Sequence, residues 1–102
     1  MGLYLSGFDP SLPASAVLTS VAQSATSVIL IAANSSRRYA SIYNSGTKTL
    51  FVAFGPTASV TAFTVQIPTN GYLELQEDGY TGDVSGIWAG AGGGAAKVTE
   101  VS

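Results

Sequence analysis

The stretch FTVQIPTNGYLELQ, residues 63–76, decides the fold class, because two short alternating runs flank a turn signal. Every second residue of each run is apolar: Phe63, Val65 and Ile67 in the first, Leu73 and Leu75 in the second. The tetrapeptide PTNG at 68–71 pairs a proline of fixed φ with a permissive glycine three positions later. The stretch therefore predicts two half-buried strands joined as a hairpin.

Similar runs of β-branched and aromatic residues recur along the chain and are separated by Gly, Pro, Asn and Asp. The segment 44–48 has hairpin length and contains a glycine, so it predicts a second hairpin. Residues 1–14 are interrupted too often by Gly and Pro for regular structure, which predicts an extended N-terminal arm. We expect one all-β domain over 15–102, an antiparallel β-sandwich or jelly roll of about seven or eight strands, with strands at 17–21, 28–31, 39–43, 50–54, 63–67, 72–76, 84–88 and 96–101.

Composition excludes several classes of function. The chain contains no cysteine and no histidine, so disulfides, thiolate metal sites and His-based nucleophile arrangements cannot form. Charged residues make up 10% of the chain and only four are basic, too few for a nucleic-acid footprint. No apolar run is long enough for a membrane span. We expect a soluble, non-enzymatic protein that needs no cofactor or metal, part of whose neutral surface is covered by a partner.

The segment Gly90–Ala95 spells G-x-G-x-x-A, the glycine spacing of a dinucleotide site. A strand precedes it, but the residues after it are β-like, so no helix N-terminus is available for a pyrophosphate. We interpret these glycines as a flexible hairpin connection.

Acidic residues and the single tryptophan offer further candidate sites. Glu74, Glu77, Asp78 and Asp83 suit a polar turn, with a weak metal site as the alternative. Trp88 suits a half-buried core anchor, with a sugar-stacking platform or an interface contact as alternatives.

The candidate partner interface combines three features. The strand 50–54 is apolar on both faces, so either something covers its outer face or Phe51 contacts a partner. Arg37 and Arg38 form an exposed pair that contacts an acidic partner surface or a carboxylate across the sheet, or else blocks unwanted strand pairing. The arm contributes apolar side chains that have little to pack against in isolation, namely Leu3, Tyr4, Leu5 and Phe8. The alternative is that residues 3–5 add an edge strand to the sandwich itself.

Several short segments carry a family likeness: Arg38 with Ile42-Tyr43-Asn44, Gly71-Tyr72-Leu73-Glu74, and YTGDVSGIW at 80–88, followed by a Val-Thr-Glu end. Over roughly residues 36–101 the chain resembles the small β-sandwich virion proteins of tailed bacteriophages. That likeness does not extend to the arm.

The resemblance implies a capsid cement or decoration protein on the virion surface, assembled in the host cytoplasm. It implies the major capsid protein and further copies of the same chain, as a homotrimer, as partners. The alternative is a head-fibre or tail-tip module that recognises host glycan, for which Tyr72 and Tyr80 beside Glu77 and Asp78 are the candidate residues.

Overall fold

The computed structural model describes residues 15–76 and 79–102, which form eight strands and no helix. The strands are β1 Ala16–Ala22, β2 Val28–Ile31, β3 Tyr39–Asn44, β4 Leu50–Phe54, β5 Val65–Ile67, β6 Tyr72–Leu75, β7 Val84–Trp88 and β8 Ala95–Val101. The expected all-β class and strand number are confirmed. The predicted arm, including Leu3, Tyr4, Leu5 and Phe8, lies outside the described residues.

The strands form two antiparallel sheets of four, in the orders β1-β8-β3-β6 and β2-β7-β4-β5. Successive strands mostly alternate between the sheets, and among the described strands only β4 and β5 are consecutive partners. This double-sheet order is that of a jelly roll.

The predicted hairpins are wrong. β3 and β4 lie in different sheets, as do β5 and β6, and as do β7 and β8 around the glycine-rich segment. Packed sheets lie about 10 Å apart, so a connection of five residues crosses the sandwich as easily as it turns back on one sheet. The first run is also shorter than expected, since β5 begins at Val65 and Phe63 packs against Phe51 instead of sharing the core face.

The core lies between the inner faces of the two sheets. Ile42 of β3 and Val98 of β8 face Leu50, Val52 and Trp88 from the second sheet, and all five are at most 4% exposed. Leu75 is buried and Leu73 partly buried on the same inner face, as the alternation predicted.

The turn before β6 uses asparagine, where the sequence pointed to glycine. Gly71 N–H donates to the Pro68 carbonyl at 2.8 Å, and Asn70 has a φ of 69°. A positive φ at the third turn residue is the geometry of a type II turn, which Asn tolerates.

Candidate functional site

Arg37, predicted to be an exposed interface residue, is buried, and that expectation of exposure is wrong. Its side chain is 2% exposed and forms an ion pair with Glu100 of β8, Nε to Oε2, at 2.9 Å. Its guanidinium also donates to the Ala32 and Tyr80 carbonyls at 2.8 Å, and to Gly82 O at 3.3 Å. Of the partners considered for Arg37, the structure therefore supplies the carboxylate across the sheet. Through these bonds Arg37 joins the β2–β3 and β6–β7 connections to β8.

A second polar network closes the opposite end of the core. Asn44 is fully buried and its amide donates to the carbonyls of Lys48 and Ile67, both at 2.9 Å. Its Oδ1 accepts from Gly46 N–H at 2.8 Å and from Trp88 Nε1–H at 3.0 Å. Trp88 is 1% exposed, so it is a core anchor and is buried too deeply to stack on a sugar.

The glycine-rich segment supports this network by close packing. A Cβ on Gly94 would collide with the Gly46 backbone and lie 2.7 Å from the Ser45 carbonyl. A Cβ on Gly92 would collide with the Thr47 and Gln23 side chains. Because β8 follows at once, the segment has no helix N-terminus to hold a phosphate.

The acidic residues do not converge in the described chain. Asp83 Oδ1 accepts from Ala33 N–H at 2.9 Å, and Glu74 Oε2 accepts from the Tyr39 hydroxyl at 2.6 Å. Glu77 and Asp78 lie outside the described residues. Within 15–76 and 79–102, no three Asp, Glu, His or Cys side chains lie close enough together to hold a metal ion.

The contact between Glu74 and Tyr39 changes the acidity of the tyrosine hydroxyl. The hydrogen bond from the Tyr39 hydroxyl to the Glu74 carboxylate raises the pKa of Tyr39 above its usual value of 10.0, with smaller raising contributions from burial and the nearby negative charge. Both groups lie on the outer face of the β1-β8-β3-β6 sheet, as the register of β3 with β6 requires.

The aromatic residues suggested for glycan binding are separated in the fold. Tyr72 is 69% exposed and pairs with Tyr43 on that outer face, where the Tyr43 hydroxyl donates to Asn70 Oδ1. Tyr80 instead stacks on Phe54 of the other sheet, with ring centroids 5.0 Å apart. Tyr72 and Tyr80 therefore do not form one aromatic platform.

Phe51 has a partner on the outer face of its own sheet. β4 lies inside the β2-β7-β4-β5 order, and the Phe51 ring packs on Phe63 with centroids 4.9 Å apart. The connection 55–64 also lies against β2, since Ala58 N–H donates to Ser27 Oγ. Phe63 therefore covers part of the outer face of this strand, as the first alternative requires, and Phe51 stays partly exposed.

Arg38 is partly buried, and its backbone N–H donates to the Val101 carbonyl at 2.8 Å. The proposed contact of Arg38, Phe51 and the arm residues with another protein stays a prediction.

The edge strand β1 is the most exposed apolar element among the described residues. Six of its seven residues are exposed and Val21 is intermediate. Leu18 on the outer face is 77% exposed, and Val17 on the inner face is 56% exposed. A shallow depression of about 240 Å³ lies over β1 and β8, lined by Leu18, Thr19, Ser20, Lys97, Val98 and Thr99.

Sequence reasoning placed a strand here but missed that β1 has both faces open. It also missed the interior roles of Arg37 and Asn44. The absence of charge and proline from the β1 sequence was an available signal that its edge is not protected against pairing.

No family model and no curated protein matches the chain. Among solved structures, the chain is similar to one described as "Bacillus endospore appendages form a novel family of disulfide-linked pili". The match has a TM-score of 0.59 at 16% sequence identity and covers 99% of this chain and 96% of that one. At this identity the likeness shows the fold alone. None of the described segments forms a helix long and apolar enough to cross a membrane.

Proposed function

We propose that this chain is a non-enzymatic structural subunit of a protein assembly, and specifically a capsid cement protein of a tailed phage. The observation that carries the structural role is the neutral edge strand β1, which leaves Leu18 77% exposed and Val17 56% exposed. Large apolar side chains exposed on both faces of one edge strand, in a domain with few charges, favour a strand edge that another protein covers.

The interior supports the same role. Arg37 and Asn44 are buried, and their side-chain hydrogen bonds hold connections and strands together. The likeness to a pilus subunit agrees with a structural use of this fold. Because the chain has no cysteine, it would assemble without the disulfide links named for those pili.

The specific partner proposal follows from the sequence resemblance. The chain would contact the major capsid protein, associate as a homotrimer and use the arm residues Leu3, Tyr4, Leu5 and Phe8 as an anchor. Burial of each large apolar side chain contributes about 1.5–3 kcal/mol, and this sum is repeated over many copies on a symmetric shell.

Cryo-EM of virions from the source culture tests this proposal. The expected result is density for the jelly roll on the outer shell. Deletion of residues 1–13 should abolish particle binding and leave the melting temperature unchanged. Particles without this domain, in a culture that expresses it, would overturn the cement role. Filaments formed by the purified chain alone would instead favour an appendage subunit.

A glycan-binding module is the second candidate, favoured by the exposed Tyr72 beside Tyr43. Glycan-array binding that Tyr72→Ala abolishes and Leu18→Ser leaves intact would establish it. The cement proposal predicts that neither the natural chain nor the Leu18→Ser variant binds to the glycan array.

A further inference from the structure

We propose that β1 is a self-complementary edge at which two copies of this chain pair antiparallel, about a twofold axis through Thr19. This deepens the proposed structural role, on which its biological meaning rests, and it names a second copy as the partner.

The four sheet edges differ in how they resist pairing. β2 is short and has a register irregularity between Ile29 and Ile31. β5 has three residues followed by Pro68, and β6 has four residues that include Glu74. Short edges, irregularities, prolines and charges are the features that prevent one sheet from adding to another. β1 has seven residues and none of these features.

Hydrogen bonding with β8 determines which backbone groups of β1 remain available. Ser15 and Ser102 exchange both backbone hydrogen bonds, at 2.8 and 3.0 Å, and Gln23 N–H donates to Gly94 O at 2.8 Å. In an antiparallel ladder every second residue faces the same neighbour, so Thr19 directs its backbone groups toward β8. Within the described chain, the intervening residues of β1 direct theirs to the unpaired edge: Ala16, Leu18, Ser20 and Ala22.

The sequence of β1 matches its own reverse at every position except Leu18 and Ser20. AVLTSVA, read from either end, has Ala first, Val second and Thr at the centre. In a twofold pair centred on Thr19, Val17 lies opposite the partner's Val21 and Leu18 lies opposite the partner's Ser20. The four residues with free backbone groups then form about eight inter-subunit hydrogen bonds, while Thr19 faces itself at a non-hydrogen-bonded position.

Charge does not oppose this arrangement. β1 is uncharged, and Lys97, the outward-facing charge next to it on β8, contacts Ser20 Oγ at 3.1 Å. In the pair, the two β8 strands that carry Lys97 are three strand spacings apart, about 14 Å. This separation exceeds the Debye length of about 10 Å at 0.1 M salt, so the two charges repel each other little. The partner's Leu18, opposite Ser20, lies beside the depression over β1 and β8 and would cover part of it.

A twofold contact of this kind is isologous and is distinct from the contacts that close a trimer. It joins two single copies or two trimers, and it merges two four-stranded sheets into one of eight strands.

Site-specific disulfide formation in the full chain tests the geometry, because the natural sequence has no cysteine. A non-hydrogen-bonded antiparallel pair has Cα atoms about 4.5 Å apart, within disulfide range. Thr19→Cys should therefore cross-link under mild oxidation at least ~10-fold faster than Leu18→Cys, whose own copy lies about 7–8 Å away on the diagonal. Val60→Cys, on an exposed connection, measures random collision.

Leu18→Pro provides a second test that does not depend on cysteine chemistry. The Leu18 N–H points away from β8, so proline removes no bond of the β1–β8 ladder but blocks the shared edge. Light scattering should show loss of the β1-mediated association while circular dichroism shows an unchanged fold. Equal cross-linking at positions 18, 19 and 60, or association that survives Leu18→Pro, would overturn the pairing. Neither result would affect the proposed capsid role, which is tested on particles.

Discussion

Replacement of Arg37 by methionine should destabilise the domain strongly and should do so without any partner. The substitution keeps an apolar stem but leaves Glu100 without its cation and the carbonyls of Ala32, Tyr80 and Gly82 without their donor. Removing one member of a buried ion pair costs about 3–5 kcal/mol. Because the Glu100 side chain keeps 21% exposure, water partly solvates it, and we expect a loss of about 3 kcal/mol, the lower end of that range.

A loss of that size is easily measured. For a domain of about 100 residues each 1 kcal/mol shifts Tm by about 4–8 °C, so the expected fall is about 12–24 °C. The chain has a single tryptophan, and Trp88 is 1% exposed, so its fluorescence reports unfolding directly. Urea and thermal unfolding of Arg37→Met should be compared with Lys97→Met, which removes an exposed cation bonded to Ser20.

The control should stay within about 0.5 kcal/mol of the natural chain. Glu100→Gln keeps an oxygen that accepts from Arg37 but removes the counter-charge of a buried guanidinium, so it should lose about 1.5–3 kcal/mol. Equal midpoints for Arg37→Met and Lys97→Met would refute the assignment of Arg37 to the interior and would restore it as a candidate for partner contact.

Three further predictions concern the core and the outer face. Asn44→Ala should cost about 3 kcal/mol or more, because it removes the partner of the buried Trp88 Nε1–H and the donor to the carbonyls of Lys48 and Ile67. Tyr43→Phe should change the unfolding free energy by less than about 0.5 kcal/mol, and similar losses in the two variants would contradict the role of the network. Gly94→Ala should cost about 1–3 kcal/mol in urea unfolding, because the new Cβ would collide with the Gly46 backbone, whereas Gly93→Ala should cost almost nothing. An unchanged stability of Gly94→Ala would show that the β3–β4 and β7–β8 connections can move apart. The raised pKa of Tyr39 should fall toward its usual value in Glu74→Gln, as followed by NMR of the ring, and an unchanged titration would contradict the contact. Because the folded-state pKa is raised, the stabilisation from this contact is present below the unfolded pKa of about 10 and is lost as pH rises through the folded pKa.

Several residues that carry the phage-protein resemblance lie in the interior, among them Ile42, Asn44, Val84 and Trp88. Asn44 and Trp88 bond to each other, and the carbonyls of Tyr80 and Gly82 accept from Arg37. Residues of this kind specify how the sandwich closes and say little about what its surface touches. The capsid role accordingly stays a proposal, with β1 as the described surface that favours assembly.

The sequence by itself determined the fold class and the approximate position of every strand in the described chain. Alternation of apolar and polar residues is a local property, since adjacent side chains on a strand point to opposite faces. Leu73 and Leu75 could therefore be assigned to the core face without knowing what they contact. Absence of His and Cys likewise excluded whole classes of chemistry from composition alone.

Only the tertiary structure decided which strands pair, which way Arg37 points and which edge stays open. Backbone hydrogen bonds are nearly independent of side-chain identity, so alternation in β5 and β6 could not show that they belong to different sheets. From the sequence, a positive charge such as Arg37 is predicted to be exposed. Its burial depends on contacts with distant carbonyls and with Glu100, 63 positions further along the chain, which only the folded structure shows. Among the described strands, β1 is an edge strand because it ends the order β1-β8-β3-β6, which is a property of the assembled sheet and of no single segment.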